Sequence, residues 1–184
     1  MLIHEIQQTL EEYQRLFPSD TKNLHALTEL VATGANLSSR SEFRGHVTCG
    51  AIVLNSERRL LMVHHRALDK WLFPGGHLEE TDATLRQAAL RELAEETGVL
   101  AETLSTSSSW VDDIPVHIDR HLIPQNAIKG EPSHFHYDFR YIFLRESDTF
   151  VIQDAEVADA AWVDPMFAPK VIRDRLEAIS FLRK

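Results

Sequence analysis

The stretch from Gly75 to Val99, GGHLEETDATLRQAALRELAEETGV, decides how this chain is read. Its end, Arg91-Glu92-Leu93-Ala94-Glu95-Glu96-Thr97-Gly98-Val99, places three carboxylates at positions i, i+3 and i+4. On a helix these spacings share one face, with Cβ atoms roughly 5–6 Å apart. Three like charges so close repel one another, and a hard divalent cation with oxygen ligands removes that cost. Leu85, Ala88, Ala89 and Leu93 fall on the opposite face and anchor the helix on a core. The spacing predicts a helix from about 83 to 97, with Asp82 at the N-cap and Gly98 closing it in a left-handed cap. Ahead of it, Pro74-Gly75-Gly76 reads as a loop with wide backbone freedom.

Outward from this segment, Val47–Leu54 and Leu60–His65 are short apolar runs separated by Asn55-Ser56-Glu57-Arg58, a hairpin signal. Downstream, Ser109–His117 and His134–Arg145 are expected strands. The second alternates, with Phe135, Tyr137, Phe139 and Tyr141 on one face and His134, His136, Asp138 and Arg140 on the other. Ala160–Val163 reads as a short final strand and Pro169–Leu182 as a closing helix. At the start, Ile3, Ile6, Leu10, Tyr13 and Phe17 recur at helical steps; Pro18 breaks the pattern, and Leu24, Leu27, Leu30 and Val31 mark a second helix before Gly34.

The 25-residue segment resembles the Nudix box: a glycine, five residues, a glutamate, seven residues, then Arg-Glu, an aliphatic residue, any residue, Glu-Glu, any residue, glycine and an aliphatic residue. Matching six fixed positions at average usage has a chance of about 10⁻⁷ to 10⁻⁸ per window. Two departures stand out. Counted from Gly76, the sixth position is Asp82 rather than glutamate, and eight residues separate Asp82 from Arg91. The resemblance implies an α/β fold, a Nudix-type α/β/α sandwich with a mixed central sheet. Residues 43–184 then form the hydrolase domain, and residues 1–42 an N-terminal helical hairpin outside the pattern. That hairpin is expected either to pack on the main domain or to pair two copies in a homodimer.

The implied activity is Mg²⁺-dependent hydrolysis, with Mn²⁺ as a substitute, of a pyrophosphate bond in a nucleoside-diphosphate-linked or related small phosphorylated substrate. The alternative is a sensor that binds a nucleotide or ADP-ribose-like ligand with little hydrolysis. By resemblance, Glu92, Glu95 and Glu96 hold the metal, the Gly75 carbonyl completes its shell, and Arg91 orients a glutamate. Glu92 is the first choice of general base, with Glu131 and Asp138 downstream. Arg44, Arg66 and Lys70 are candidates for the distal phosphate or sugar, and Glu131, His136 and Asp138 for further substrate contacts. His134 and His136, on the face of Asp138, could touch substrate or metal, with a solvated strand face as the simpler expectation. Trp71, Phe73 and Trp110 could stack on a base, although core packing is the simpler expectation. Selectivity is expected in loops at 66–71, 101–108 and 118–133.

Composition narrows the partners. The chain is 43% hydrophobic and 26% charged, as globular domains are. Its formal net charge of −9, from 28 acidic and 19 basic residues, disfavours long nucleic acid, whose binding rests on phosphate neutralisation. The N-terminal stretch lacks a secretory pattern, no apolar run approaches the roughly 20 residues needed to span a bilayer, and Cys49 is the single cysteine. A cytoplasmic protein is expected, with Cys49 a small buried hydrophobe. Isomerase chemistry would require further reactive groups.

Overall fold

The computed structural model describes residues 2–105, 113–152 and 157–181. Two helices lead the chain, α1 (Leu2–Leu16) and α2 (His25–Ala32). Four strands follow: β1 (His46–Leu54), β2 (Leu60–His65), β3 (Lys70–Leu72) and β4 (Gly75–His77). Then come helix α3 (Leu85–Thr97), strands β5 (His117–Ile123), β6 (His134–Leu144) and β7 (Val157–Val163), and helix α4 (Lys170–Phe181).

All nine residues of β1 are buried, which explains its nearly unbroken apolar run. β1 lies parallel to β6 along its whole length, from His46 opposite His136 to Leu54 opposite Leu144. The other pairings are antiparallel: β2 with β3 and β7, β5 with β6, β1 with β2 at Leu54–Leu60 and with β4 at Thr48–His77. The sheet is therefore mixed, as expected.

Side-chain alternation divides it into two faces. Val47, Cys49, Ala51 and Val53 of β1 pack with Tyr137, Phe139, Tyr141 and Phe143 of β6 under α3, beside Ile6, Leu10 and Tyr13 of α1. Ile52, Leu54, Ile142 and Leu144 pack under α4 through Ile172 and Leu176. This is the α/β/α layering. Among the described residues no helix is long and apolar enough to cross a membrane.

The N-terminal hairpin is locked into this core. Tyr13 donates to Asp20 at 2.6 Å, Arg175 of α4 donates to Tyr13 and to Asp20 at 2.6 Å each, and the amide of Ile118 on β5 donates to the Tyr13 oxygen at 3.2 Å. Glu5 of α1 accepts a hydrogen bond from the Leu85 amide at 3.0 Å, satisfying one of the open donors at the start of α3.

Three local expectations need correction. Gly75 and Gly76 form a strand rather than a loop, because β1 supplies a ladder that fixes an otherwise permissive backbone. The segment 118–133, expected as a loop, contains most of β5, which pairs register for register with β6. Of the strand expected at Ser109–His117, residues 109–112 lie outside the described residues, residues 113–116 form a turn and bend, and the described strand begins only at His117.

Candidate active site

The first turn of α3 is capped by Thr84, whose Oγ1 accepts from the Gln87 amide at 3.0 Å. Asp82, expected at that cap, is instead buried. It accepts from the Glu79 amide at 2.8 Å and takes both arms of Arg91, from Nε to Oδ1 and from Nη2 to Oδ2, each at 3.0 Å. The extra residue before Arg91 is absorbed in the turn ahead of the helix. At the other end Gly98, with φ of 64°, closes α3 as expected and donates to the Ala94 carbonyl.

Arg91 is the hub. Besides Asp82, its Nη2 donates to the His77 carbonyl at 2.8 Å, and its Nη1 donates to Glu92 Oε1 at 2.9 Å and to Glu95 Oε2 at 3.1 Å. One guanidinium thus ties the turn, β4 and two carboxylates of α3 together through charge-assisted bonds. Glu96 is buried, and its Oε2 accepts from the Gly75 amide at 3.1 Å. A Cβ on Gly76 would fall 2.5 Å from Glu92 Oε1, and one on Gly75 would fall 2.6 Å from the Cys49 carbonyl. Only glycine lets β4 lie this close to both the carboxylates and β1.

Burial pushes the Glu92 carboxyl up to about 7, with Glu95 and Asp82 adding and Arg91 opposing. Glu95 is half exposed, at 50% for its side chain. Three carboxylates of graded burial therefore line one edge of β4.

The opposite face of the sheet is built from imidazole. His46 of β1, His77 of β4 and His136 of β6 bring one ring nitrogen each to within 4.8 Å of one another. His134 Nε2 lies 3.3 Å from His136 Nε2, and the His121 ring stands 5.5 Å from that of His136. Burial and neighbouring imidazoles push His136 down to about 2; burial and the positive charge of Arg40 push His77 down to about 4. Further along this face, Arg140 donates to Asp138 at 2.7 Å and to Asp119 at 3.1 Å, and Asp138 also accepts from Thr48 at 3.3 Å. Burial with Arg140 beside it pushes His117 down to about 4, while His121 and Arg140 hold Asp119 down at about 2.

The sequence-predicted residues divide accordingly. Glu92, Glu95, Glu96, Arg91 and Gly75 come together. Asp138 and His136 lie on the imidazole face, and a Cβ on Gly50 would meet Asp138 Oδ1 at 3.3 Å. Glu131 sits in the β5–β6 turn, bridged to Asn126, and its charge acts on His46. Arg44 is elsewhere: it is exposed, paired with Glu42 at 2.6 Å, and lines a groove with Arg120 and Tyr137 on the face opposite His136. Arg66 and Lys70 are exposed at the turn into β3, the edge of the strand order. Trp71 is half exposed against His64, Phe73 packs at the α4 side with Arg140 over its ring, and Trp110 lies outside the described residues. Cys49 is fully buried, and burial raises its thiol well above the ordinary range, which makes it a poor nucleophile. Sequence reasoning missed His46, His77, His117, Asp119 and Arg140 as a connected group. The alternation in β6 already put Arg140 beside Asp138, but the partners come from other strands.

The chain is similar to an m7GpppN-mRNA hydrolase (NUDT17) of Danio rerio, at 31% identity over 74% of this chain and 48% of the relative. It is also similar to an RNA pyrophosphohydrolase of Hydrogenovibrio crunogenus, at 36% over 39% of this chain and 46% of the relative. The phosphatase NudJ of Escherichia coli K12 matches at 47% over 33% of this chain and 39% of the relative. The chain spans less than half the length of each of these relatives. Among solved structures, a C. elegans Ap4A hydrolase binary complex superposes with a TM-score of 0.54 at 14% identity, over 74% of this chain and 96% of that one. A NUDIX-family hydrolase from Clostridium perfringens gives 0.50 at 22% identity, over 74% and 97%. At such identities the solved structures establish the fold alone. The NUDIX domain model matches residues 44–183, and the chain belongs to that family.

Proposed function

We propose that this chain is a divalent-metal-dependent pyrophosphohydrolase acting on a nucleoside-diphosphate-linked or related small phosphorylated substrate. The observation that carries the proposal is the gathering of three carboxylates beside the two glycines of β4: Arg91 holds Glu92 and Glu95, and the Gly75 amide holds Glu96. The donor set is all oxygen, which suits Mg²⁺, and Mn²⁺ in its place. Glu95, Glu96 and Glu92 would hold the ion, with the Gly75 carbonyl as a further oxygen. When bound, the ion supplies charge neutralisation on the diphosphate and acidifies water.

The chain's own residues do the rest. Arg91 and Asp82 hold α3 against β4, so the carboxylates keep their spacing. Glu92 is the preferred proton acceptor, because Arg91 fixes its carboxylate beside β4 and, in the metal-free chain, burial raises its affinity for a proton above that of an ordinary carboxylate. Asp138 is already engaged by Arg140, which leaves Glu131 as the downstream alternative. Relatives named as an mRNA hydrolase, an RNA pyrophosphohydrolase and a phosphatase point to the same reaction class.

A substrate panel tests this reading. Sugar nucleotides, dinucleoside polyphosphates, oxidised nucleoside triphosphates and coenzyme fragments are incubated with the purified chain and Mg²⁺, and products are resolved by ³¹P NMR. Cleavage between phosphates that stops on adding EDTA is the expected result. Tight nucleotide binding with no product across the panel would contradict it and favour a sensor.

A further inference from the structure

The imidazole cluster is left over once the carboxylates are assigned. His46 and His136 stand opposite each other in the parallel β1–β6 ladder, and His77 stands opposite Thr48, which shares a face with His46. Three strands adjacent in the sheet therefore deliver three imidazoles to one spot, and the ladder fixes their backbones. The His46 and His77 rings lie 5.2 Å apart, His46 and His136 4.6 Å, and His77 and His136 5.0 Å.

Packing alone does not account for this arrangement. His46 is 1% exposed, its Nδ1 lies 3.3 Å from the Glu42 carbonyl, and its Nε2 is buried with no hydrogen-bond partner. Buried ring nitrogens are ordinarily satisfied by protein or water. A ring whose Nδ1 donates to a carbonyl presents Nε2 as a lone pair, which is how metal-bound histidines are commonly oriented.

From these observations we infer that His46, His77 and His136 form a binding site for a transition-metal ion, Zn²⁺, separate from the box carboxylates. Imidazole nitrogen selects zinc and its neighbours over magnesium. In a tetrahedral site with Zn–N of about 2.0–2.1 Å, ligand nitrogens stand roughly 3.3 Å apart. The nitrogens lie within 4.8 Å of one another, so a bound ion would have to draw them together by turning the rings about their side-chain bonds. Three protein ligands leave a fourth position for water or an anionic oxygen. His134, against His136, is placed to steer that ring or to exchange with it. The Arg91 bond to the His77 carbonyl ties the strand that carries this ligand to the carboxylate cluster.

The test needs no substrate, so it is independent of the proposed hydrolysis. The full chain is stripped of metal, and Zn²⁺ is titrated against a chromophoric chelator. Co²⁺ is added in parallel, and its visible d–d bands are recorded. The expected result is one Zn²⁺ per chain and an intense tetrahedral Co²⁺ spectrum. Both should survive Glu96→Gln, whereas His46→Asn or His136→Asn should weaken Zn²⁺ binding roughly 100-fold or more. Circular dichroism shows whether each variant is folded. If one is not, the wild-type Co²⁺ spectrum and His77→Gln decide. An octahedral Co²⁺ spectrum, no stoichiometric zinc, or zinc that leaves with Glu96→Gln and stays in the histidine variants would each overturn the site.

Discussion

The carboxylates of α3 and the imidazoles of β1, β4 and β6 flank the same three-residue strand, yet they are assembled in different ways. Glu92, Glu95 and Glu96 are brought together by the repeat of one helix, and β4 only has to approach them. His46, His77 and His136 are far apart in sequence and meet only because three strands pair in one register. The first cluster is a local feature with a tertiary clamp; the second is tertiary throughout. Their chemistry differs too, oxygen donors on one side of β4 and nitrogen donors on the other, which predicts two ions of different character with little competition.

The sharpest way to break this comparison is to remove one carboxylate. Glu96→Gln removes the charge while keeping a side-chain oxygen that can accept from the Gly75 amide, and should lower Mg²⁺-dependent turnover by roughly 10²–10⁴-fold. Zinc uptake should be unchanged in the same preparation. Equal loss of both would mean that the two clusters form one centre.

Next in size is the clamp. Asp82→Asn keeps the shape of the side chain but loses the carboxylate that accepts both arms of Arg91. Mn²⁺ affinity should fall by about 10–100-fold, as for other residues that orient metal ligands. Wild-type affinity in that variant would show that Arg91 needs only Glu92 and Glu95 for its position.

A smaller effect depends on pH. The fold raises the Glu92 carboxyl from its ordinary 4.5 to about 7, so its contribution to stability is full below about 4.5 and is lost as pH rises through about 7. Glu92→Gln has no proton to lose. Without metal, the variant should therefore gain on the parent by on the order of 1–3 kcal/mol between pH 5 and 8. Urea melts of the two proteins at each pH measure the difference; a gap independent of pH would refute the raised carboxyl. Smallest of all, Thr84→Ala removes only the cap of α3 and should cost about 1 kcal/mol in thermal unfolding.

The same contrast separates what local sequence specifies from what only the fold brings together. The box helix, its buried stripe at Leu85, Ala88, Ala89 and Leu93, and its close at Gly98 follow from local periodicity and cap chemistry, and all are present. So are the β1–β2 hairpin, the alternation of β6 and the α/β/α layering. Asp82 misled because Asp and Thr are both good caps, and the extra residue before Arg91 let Thr84 take that role. The GGH strand was illegible because glycine has no strand preference of its own, and only β1 makes it one. The histidine cluster was hidden for a related reason. His136 was visible on its strand face, but nothing local announces that His46 and His77 arrive beside it.

The divalent-ion site proposed on α3 can be probed directly. Electron paramagnetic resonance of Mn²⁺ titrated into the metal-free chain reports binding without any choice of substrate. The free-ion signal should fall as Mn²⁺ is taken up by the parent protein and by His136→Asn, and should persist with Glu96→Gln. Uptake by Glu96→Gln equal to that of the parent, or none by the parent, would contradict the carboxylate site.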